Sequence, residues 1–173
     1  MVLEKRDKMQ IKCVLVGYLQ ANCYIVTQQN KAVLIDPGDE PEKIESELQG
    51  LELVGILLTH SHFDHIGALS YFEEKYRLKH NNKIKNFDYE TIETPGHSKD
   101  SLTFYFPKEK VMFTGDFLFQ GTIGRMDLPG GNEIEMQESL EKIKKYEDDI
   151  ILYPGYGPST TLNKEKQRFS YYF

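Results

Sequence analysis

Val54-Gly55-Ile56-Leu57-Leu58-Thr59-His60-Ser61-His62-Phe63-Asp64-His65 runs from an apolar segment straight into a crowd of histidines. The first five residues have the length and composition of a buried strand. Three of the five histidines of the chain then fall within six positions, with a carboxylate among them. A strand places residues i and i+2 on one side, so His60 and His62 can project together from its end. Asp64 and His65 sit where the chain turns and can approach the same space from another direction. Nitrogen and oxygen donors converging in this way are what zinc or iron requires. The bland alternative is a polar loop that happens to be rich in histidine.

Working outward, Ile66, Leu69, Phe72 and Tyr76 recur at helical spacing and predict a helix that begins at the histidines. Free N–H groups in its first turn would favour negative charge there. Upstream, Ile11–Val16, Asn22–Thr27 and Ala32–Asp36 read as an antiparallel meander broken at Gly17 and at Gln28-Gln29-Asn30. Asp39 with Glu42 offers a capping box for a helix whose apolar face is Ile44, Leu48 and Leu51. The strand Leu53–Leu58 follows.

Downstream of the helix, Leu78–Phe87 is polar, basic and short, and reads as a loop. Strands are expected at Tyr89–Glu93, Leu102–Phe106 and Val111–Thr114. Asp116–Gly131 reads as a long glycine-containing loop, and such loops inside a compact domain are usually functional. Asn132 with Glu135 offers a second capping box, for a helix burying Met136, Leu140 and Ile143. A strand Ile150–Tyr153, a turn Pro154–Pro158 and a helix from Leu162 close the chain. Two half-chains of strands followed by helix suggest two sheets with helices outside.

The chain has 173 residues, a size that favours one domain over 1–173, and a hydrophobic fraction of 39% that suits a globular protein. A net charge of -6 argues against nucleic acid or an anionic membrane surface as the main partner. Cys13 and Cys23 lie in apolar segments without metal-site spacing and are expected as reduced core thiols. Met1–Lys8 is charged, lacks the apolar core of a leader and is expected to be a flexible extension. No run of about 18 apolar residues occurs, so a cytoplasmic protein is expected.

Two later segments supply further donors. Thr94-Pro95-Gly96-His97 puts a histidine on a turn after a strand, and Phe113-Thr114-Gly115-Asp116 does the same for a carboxylate. Each alone is ordinary turn chemistry. Together with His60-x-His62-x-Asp64-His65 they form an ordered series. With Asn22-Cys23-Tyr24, Ile35–Asp39, Gly124–Gly131 and Pro158–Thr161, that series resembles the metallo-β-lactamase superfamily and, within it, the small glyoxalase II-like hydrolases. The resemblance implies an α+β fold, an αββα sandwich of two mixed sheets with outer helices.

It also implies roles. His60, His62 and His97 would hold a first metal, Asp64 and His65 a second, and Asp116 would bridge them. A hydroxide held by the metals would attack an ester or thioester carbonyl polarised by the same cations, with Asp64 as a candidate proton acceptor. Asp36 would orient a ligand histidine, although a satisfied turn aspartate fits it equally. Arg125 could meet an anionic substrate or tie down its own loop.

Two departures matter. The family has Pro-Gly-His-Gly-Pro where this chain has Pro154-Gly155-Tyr156-Gly157-Pro158, which removes a ligand of the second metal. A phenol is protonated at pH 7, so the second site is expected to bind weakly or stay empty; His80 is expected to be exposed rather than a replacement. The interval between His65 and His97 is also short, as if a strand had been lost around Leu78–Phe87, leaving a groove open or completed by a second subunit.

The leading expectation is a zinc-dependent thioester or ester hydrolase acting on a small molecule, one zinc held firmly. Iron and manganese are alternative metals. A mononuclear iron enzyme of the persulfide dioxygenase type and a degenerate, non-catalytic binding protein are the competing readings. Tyr18, Phe117 and Phe119 could wall the groove or belong to the core, and Tyr171-Tyr172-Phe173 could dock on the body or contact another subunit. The sequence leaves the oligomeric state open.

Overall fold

The computed structural model describes residues 8–173. The extension expected over Met1–Lys8 lies outside the described residues except for Lys8, an exposed bend. The chain divides into two compact units, one ending at Phe87 and one running from Asp88 to Phe173. Both carry a mixed sheet with helices, so the fold is α+β as expected. No helix among the described residues is long and apolar enough to cross a membrane.

The first unit holds strands β1 (Gln10–Val16), β2 (Ala21–Gln28), β3 (Lys31–Ile35) and β4 (Glu52–Leu57), in that order across the sheet. The first three form an antiparallel meander, while β4 lies parallel to β3. Edge strand β1 alternates, burying Val14 and Val16; β2 and β3 are apolar along most of their length because the sheet interior buries both their faces. Cys23 is buried in β2, and burial pushes its thiol well above the usual range. Cys13 departs from the core expectation: on the edge strand its side chain is exposed and donates to Asn22 Oδ1 at 3.3 Å.

Helix α1 (Pro41–Ser46) makes the crossover from β3 to β4 and buries Ile44. The expected Asp39–Glu42 capping box is absent. The N-cap is Glu40 in the left-handed region, with no side-chain cap, and Pro41 starts the helix because its missing N–H costs nothing there. Asp39 Oδ1 instead accepts from the N–H of Glu40.

The helix expected after His65 begins earlier and is broken. His62 is the N-cap of a single-turn helix α2 (Phe63–Ile66), which carries Asp64 and His65, and α3 (Leu69–Tyr76) follows. The break has a steric cause. A Cβ on Gly38 would lie 2.0 Å from Asp64 O and one on Gly67 would lie 2.2 Å from Gly38 O, so this pair lets the Pro37-Gly38 turn press against α2. Ala68 N–H leaves the helical path to bond Pro37 O at 3.0 Å.

The 78–87 loop is held to the open edge of β4. Asn81, in the left-handed region, donates its N–H to Ile56 O at 2.9 Å. Its side-chain Oδ1 accepts from Leu58 N at 2.8 Å and its Nδ2 donates to Leu58 O at 3.3 Å. One asparagine thus replaces the hydrogen bonds a neighbouring strand would make. Ile84 fills the space left by the missing side chain of Gly55.

The second unit repeats this plan. Strands β5 (Glu90–Glu93), β6 (Leu102–Phe106) and β7 (Val111–Gly115) form an antiparallel meander. Helix α4 (Glu133–Lys144) leads to β10 (Ile151–Pro154), parallel to β7, and β11 (Thr160–Thr161) adds an edge. Asn132 caps α4 through Glu135 N at 2.9 Å, but its own N–H bonds Gly96 O at 2.8 Å, so half of the expected box forms. Met136, Leu140 and Ile143 enter the core with Met112, Phe117 and Leu152.

The 116–131 segment is more ordered than a plain loop. It contains a hairpin of β8 (Leu118–Phe119) and β9 (Thr122–Ile123), turned at Gly121 (φ 81°). Buried Glu165, in helix α5 (Leu162–Lys166), accepts from Gly121 N at 2.9 Å and from Thr160 Oγ1 at 2.6 Å, pinning that turn. Phe117 is buried and Phe119 partly so, whereas Tyr18 is fully out in solvent, contrary to a core role. Near the C-terminus Phe169 packs inward, and Tyr171 and Phe173 are exposed.

Candidate functional site

In each unit the chemistry-bearing residues follow the C-terminal ends of strands, above all the two that pair in parallel there. Asp36 directly follows β3 and Asp116 directly follows β7; His60 comes just after β4 and Tyr156 just after β10. The parallel ladder extends past each strand end, by Asp36 N to Leu57 O at 3.0 Å and Gly155 N to Gly115 O at 2.7 Å. These positions are therefore held by sheet hydrogen bonds rather than by flexible loop.

In the first unit Asp36 is buried, with a positive φ of 54°. A non-glycine residue adopts that conformation where the surroundings compensate it. Here its carboxylate takes three donors. Oδ1 accepts from Thr59 N at 2.8 Å; Oδ2 accepts from Thr59 Oγ1 at 2.6 Å and from His65 Nδ1 at 3.0 Å. Because the Thr59 hydroxyl donates to the carboxylate, its oxygen accepts from His60 Nδ1, 3.0 Å away. One carboxylate therefore fixes two imidazoles, His65 directly and His60 through Thr59, and in both rings Nε2 becomes the ligand end.

Ligand atoms of Asp36, His60 and His65 lie within 4.8 Å of one another. The His60 ring centroid is 4.8 Å from that of His62 and 4.3 Å from that of His65, so the cluster foreseen from the spacing does assemble. His65 Nε2 faces Asp64 Oδ2 at 3.4 Å.

In the second unit His97 Nδ1 donates to the backbone oxygen of Arg125 at 2.8 Å, which again leaves Nε2 as the ligand end. That nitrogen faces Asp116 Oδ2 at 3.5 Å, and both side chains are buried. Gly124 permits this approach, since a Cβ there would lie 1.8 Å from Asp116 O and 3.1 Å from His97 Cβ. Helix α4 steadies the turn before His97: Ser139 Oγ donates to Pro95 O at 2.7 Å, and Gly96 (φ 143°) rests against Met136.

The donor chemistry fits a metal. In two places a ring nitrogen with its lone pair outward faces a carboxylate oxygen, at 3.4 and 3.5 Å. Two ligands bound at about 2.1 Å to a tetrahedral ion stand about 3.4 Å apart, so both pairs have the spacing of a shared cation.

The remaining candidates are placed as follows. The Arg125 guanidinium is exposed and forked onto Asp127, with Nε to Oδ1 at 2.6 Å and Nη2 to Oδ2 at 2.8 Å. This pair holds the Asp127 carboxyl down at about 2. Exposed His80 is held by Glu73 Oε2, which accepts from its backbone N–H at 3.0 Å and lies 3.1 Å from Nδ1. Tyr156 is partly buried, its ring 6.4 Å from that of Phe119. Sequence reasoning missed the relay through Thr59, the carbonyl of Arg125 and the brace at Asn81. Only Thr59, between the strand and the first histidine, left a signal that could have been followed.

Comparison with known proteins agrees with this chemistry. The model of the metallo-beta-lactamase superfamily matches residues 16–80 and 82–156. A probable metallo-hydrolase of Bacillus subtilis, YqgX, is 33% identical over 195 aligned residues, covering 88% of this chain and 92% of the relative. The hydroxyacylglutathione hydrolase GloC of Haemophilus influenzae is 30% identical over 92% of this chain and 96% of its own. Among solved structures, the BLEG-1 B3 metallo-beta-lactamase superposes with a TM-score of 0.88 at 30% identity, covering 94% of this chain and 99% of that one. TTHA1623, solved in a di-iron-bound form, gives 0.81 at 33% identity over 89% and 96%. The ordered motifs, the two mixed sheets and these matches together place the chain in the metallo-β-lactamase superfamily, whose metal-binding members include the glyoxalase II-like hydrolases.

Proposed function

We propose that the chain is a metal-dependent hydrolase of thioesters or esters, in which both units serve one catalytic domain. His60, His62, His97 and Asp116 would hold a first ion, with Asp64 and His65 left for a weaker second. The observation that carries this reading is the common setting of three histidines. His60, His65 and His97 each give Nδ1–H to an oxygen, so each presents Nε2, and two of those nitrogens face carboxylates at metal-ligand spacing. Support for the reaction comes from relatives named as metallo-hydrolases and hydroxyacylglutathione hydrolases.

When bound, a divalent ion supplies a Lewis acid for the carbonyl and lowers the pKa of water. The chain does the rest. Asp36, Thr59 and the Arg125 carbonyl hold the imidazoles in one tautomer, so no reorganisation is needed during turnover. Asp64 accepts the proton lost as water adds to the carbonyl carbon; a C–O bond forms, the C–S or C–O bond to the leaving group breaks, and the thiol or alcohol departs protonated. Zinc is the metal proposed. Iron, which the relative TTHA1623 holds in its di-iron-bound form, is the competing choice. The second reading is a mononuclear iron enzyme of the persulfide dioxygenase type, which two histidines and a carboxylate facing an open position would suit. A small-molecule substrate and a cytoplasmic location belong to the same proposal.

Metal stoichiometry of the wild type and of Tyr156→His, with turnover of thioesters, esters, lactones and phosphodiesters followed in parallel, tests the proposal. One metal per chain rising to two in the variant is expected, and His62→Ala should abolish turnover. Iron at one per chain with oxygen uptake dependent on a sulfur compound would overturn it.

A further inference from the structure

We propose that a groove in the first unit, walled by Val16, Tyr18, Leu19 and Phe63, seats the acyl part of the substrate, and that the preferred substrates carry neutral aliphatic acyl chains. This rests on the hydrolase reading above and adds the substrate class. The groove has a volume of about 420 Å³ and is also lined by Asp39 and Asp64.

Four observations lead there. Exposed apolar side chains scattered singly are ordinary, but here three large ones border a single depression: Tyr18 at 98%, Phe63 at 76% and Leu19 at 51% exposure. The β1–β2 turn that displays two of them is braced. Gly17 N donates to Glu40 Oε2 at 2.9 Å, and both Gln20 N and Gln20 Nε2 donate to Gly17 O, at 3.1 and 2.8 Å. Tyr18 and Leu19 are thus held out in solvent by a fixed backbone, at a hydrophobic cost that an occupant would offset. Phe63 is the first residue of α2 and the immediate neighbour of Asp64, so a proposed metal ligand and proton acceptor is among the residues that line the groove.

Size and charge choose the occupant. The volume lies in the range of small-molecule sites and is too small for a folded segment of another protein. Of the two acidic residues lining it, Asp64 is assigned to the metal, which leaves the Asp39 carboxylate to repel an anionic tail while a neutral chain is tolerated. An acyl chain whose carbonyl lies at Asp64 is therefore placed against Phe63, Leu19 and Tyr18.

The test uses the metal-loaded protein and a series of N-acetylcysteamine thioesters from acetyl to octanoyl. Each added methylene should raise kcat/KM roughly two- to fourfold until the groove is full, as expected for partial burial of a CH₂. Tyr18→Ser and Leu19→Ser, both at exposed positions, should each reduce the octanoyl-to-acetyl ratio at least tenfold with the circular dichroism spectrum unchanged. As a measurement independent of turnover, butanol, hexanol and octanol are titrated against the metal-free protein while the Leu19 methyl and the Tyr18 and Phe63 ring signals are followed by NMR. Shifts that saturate at lower concentration with longer chains support the groove. Turnover without chain-length dependence, a dependence the serine variants leave intact, or shifts at other residues would overturn the inference while leaving the hydrolase reading in place. Absence of turnover at every chain length would overturn that reading and the acyl assignment together, whatever the alcohols do. Self-association abolished by Tyr18→Ser would overturn the inference in favour of a second copy of the chain.

Discussion

Thr59→Val removes one oxygen at almost constant volume from a side chain that is only 2% exposed. The lost hydroxyl donates to Asp36 Oδ2 at 2.6 Å and accepts from His60 Nδ1 at 3.0 Å. A hydrogen bond to a buried carboxylate contributes about 1.5–3 kcal/mol, and taking the acceptor from a buried imidazole N–H costs about 1 kcal/mol more. Asp36 keeps Thr59 N and His65 Nδ1, so the fold should survive with about 2.5–4 kcal/mol less stability. Released from its tautomer, His60 becomes a poorer ligand, and metal affinity should fall about 10–100-fold. Urea denaturation of the metal-free protein reads the first quantity, and competition with a chelator reads the second. Nitrogen-15 NMR of the metal-free protein adds a third readout, with His60 losing its single Nδ1–H tautomer while His65 retains it. Thr59→Ser should restore all three. Affinity and tautomer unchanged in Thr59→Val would refute the relay, even if stability dropped.

Asn81→Ala should lower stability by about 1–3 kcal/mol in urea, because it deletes two hydrogen bonds to Leu58 at an otherwise open strand edge. Asn81→Gly, which keeps the left-handed backbone at no steric cost, isolates the side-chain share. For Gly38→Ala, the added Cβ falls 2.0 Å from Asp64 O; a loss of about 3 kcal/mol or more is expected, read as a fall in Tm. Glu45 accepts from Tyr71, Lys75 and Tyr76, and those bonds, led by Lys75, bring its carboxyl down to about 2. A depressed folded-state pKa contributes stability that is full above the unfolded value near 4.3 and is lost as pH falls toward 2. The Tm difference between wild type and Glu45→Gln should therefore be constant from pH 7 to about 5 and shrink below about 4.

Strands were legible because their signal is local. The three-strand meander, β4 and β5 to β7 lie where apolar runs and turn residues put them, within a residue or two at their ends. The elements that departed from expectation are those governed by contacts distant in sequence. Helix α2 stops after one turn because Gly38 and Gly67 let residues 37–38 press against it, which no periodicity in 63–76 records. The Asp39–Glu42 pair had the spacing of a capping box, but Glu40 occupies the cap. The short hairpin inside 116–131 is pinned by Glu165, more than forty residues away.

The histidine stretch and its carboxylates were visible from residue types and order alone, because metal ligands must be histidine, aspartate or a few others whatever surrounds them. Family membership followed from that order. What the sequence could not express was orientation. Which nitrogen of each imidazole faces outward depends on hydrogen bonds from Asp36 through Thr59 to His60, from Asp36 to His65, and from His97 to a backbone oxygen with no side-chain signature. Likewise the apolar groove exists because a braced turn at Gly17 and the first residue of α2 come together across more than forty positions of chain. Residue chemistry is a one-dimensional property, whereas tautomer, approach and exposure are set by which surfaces the folded chain brings into contact.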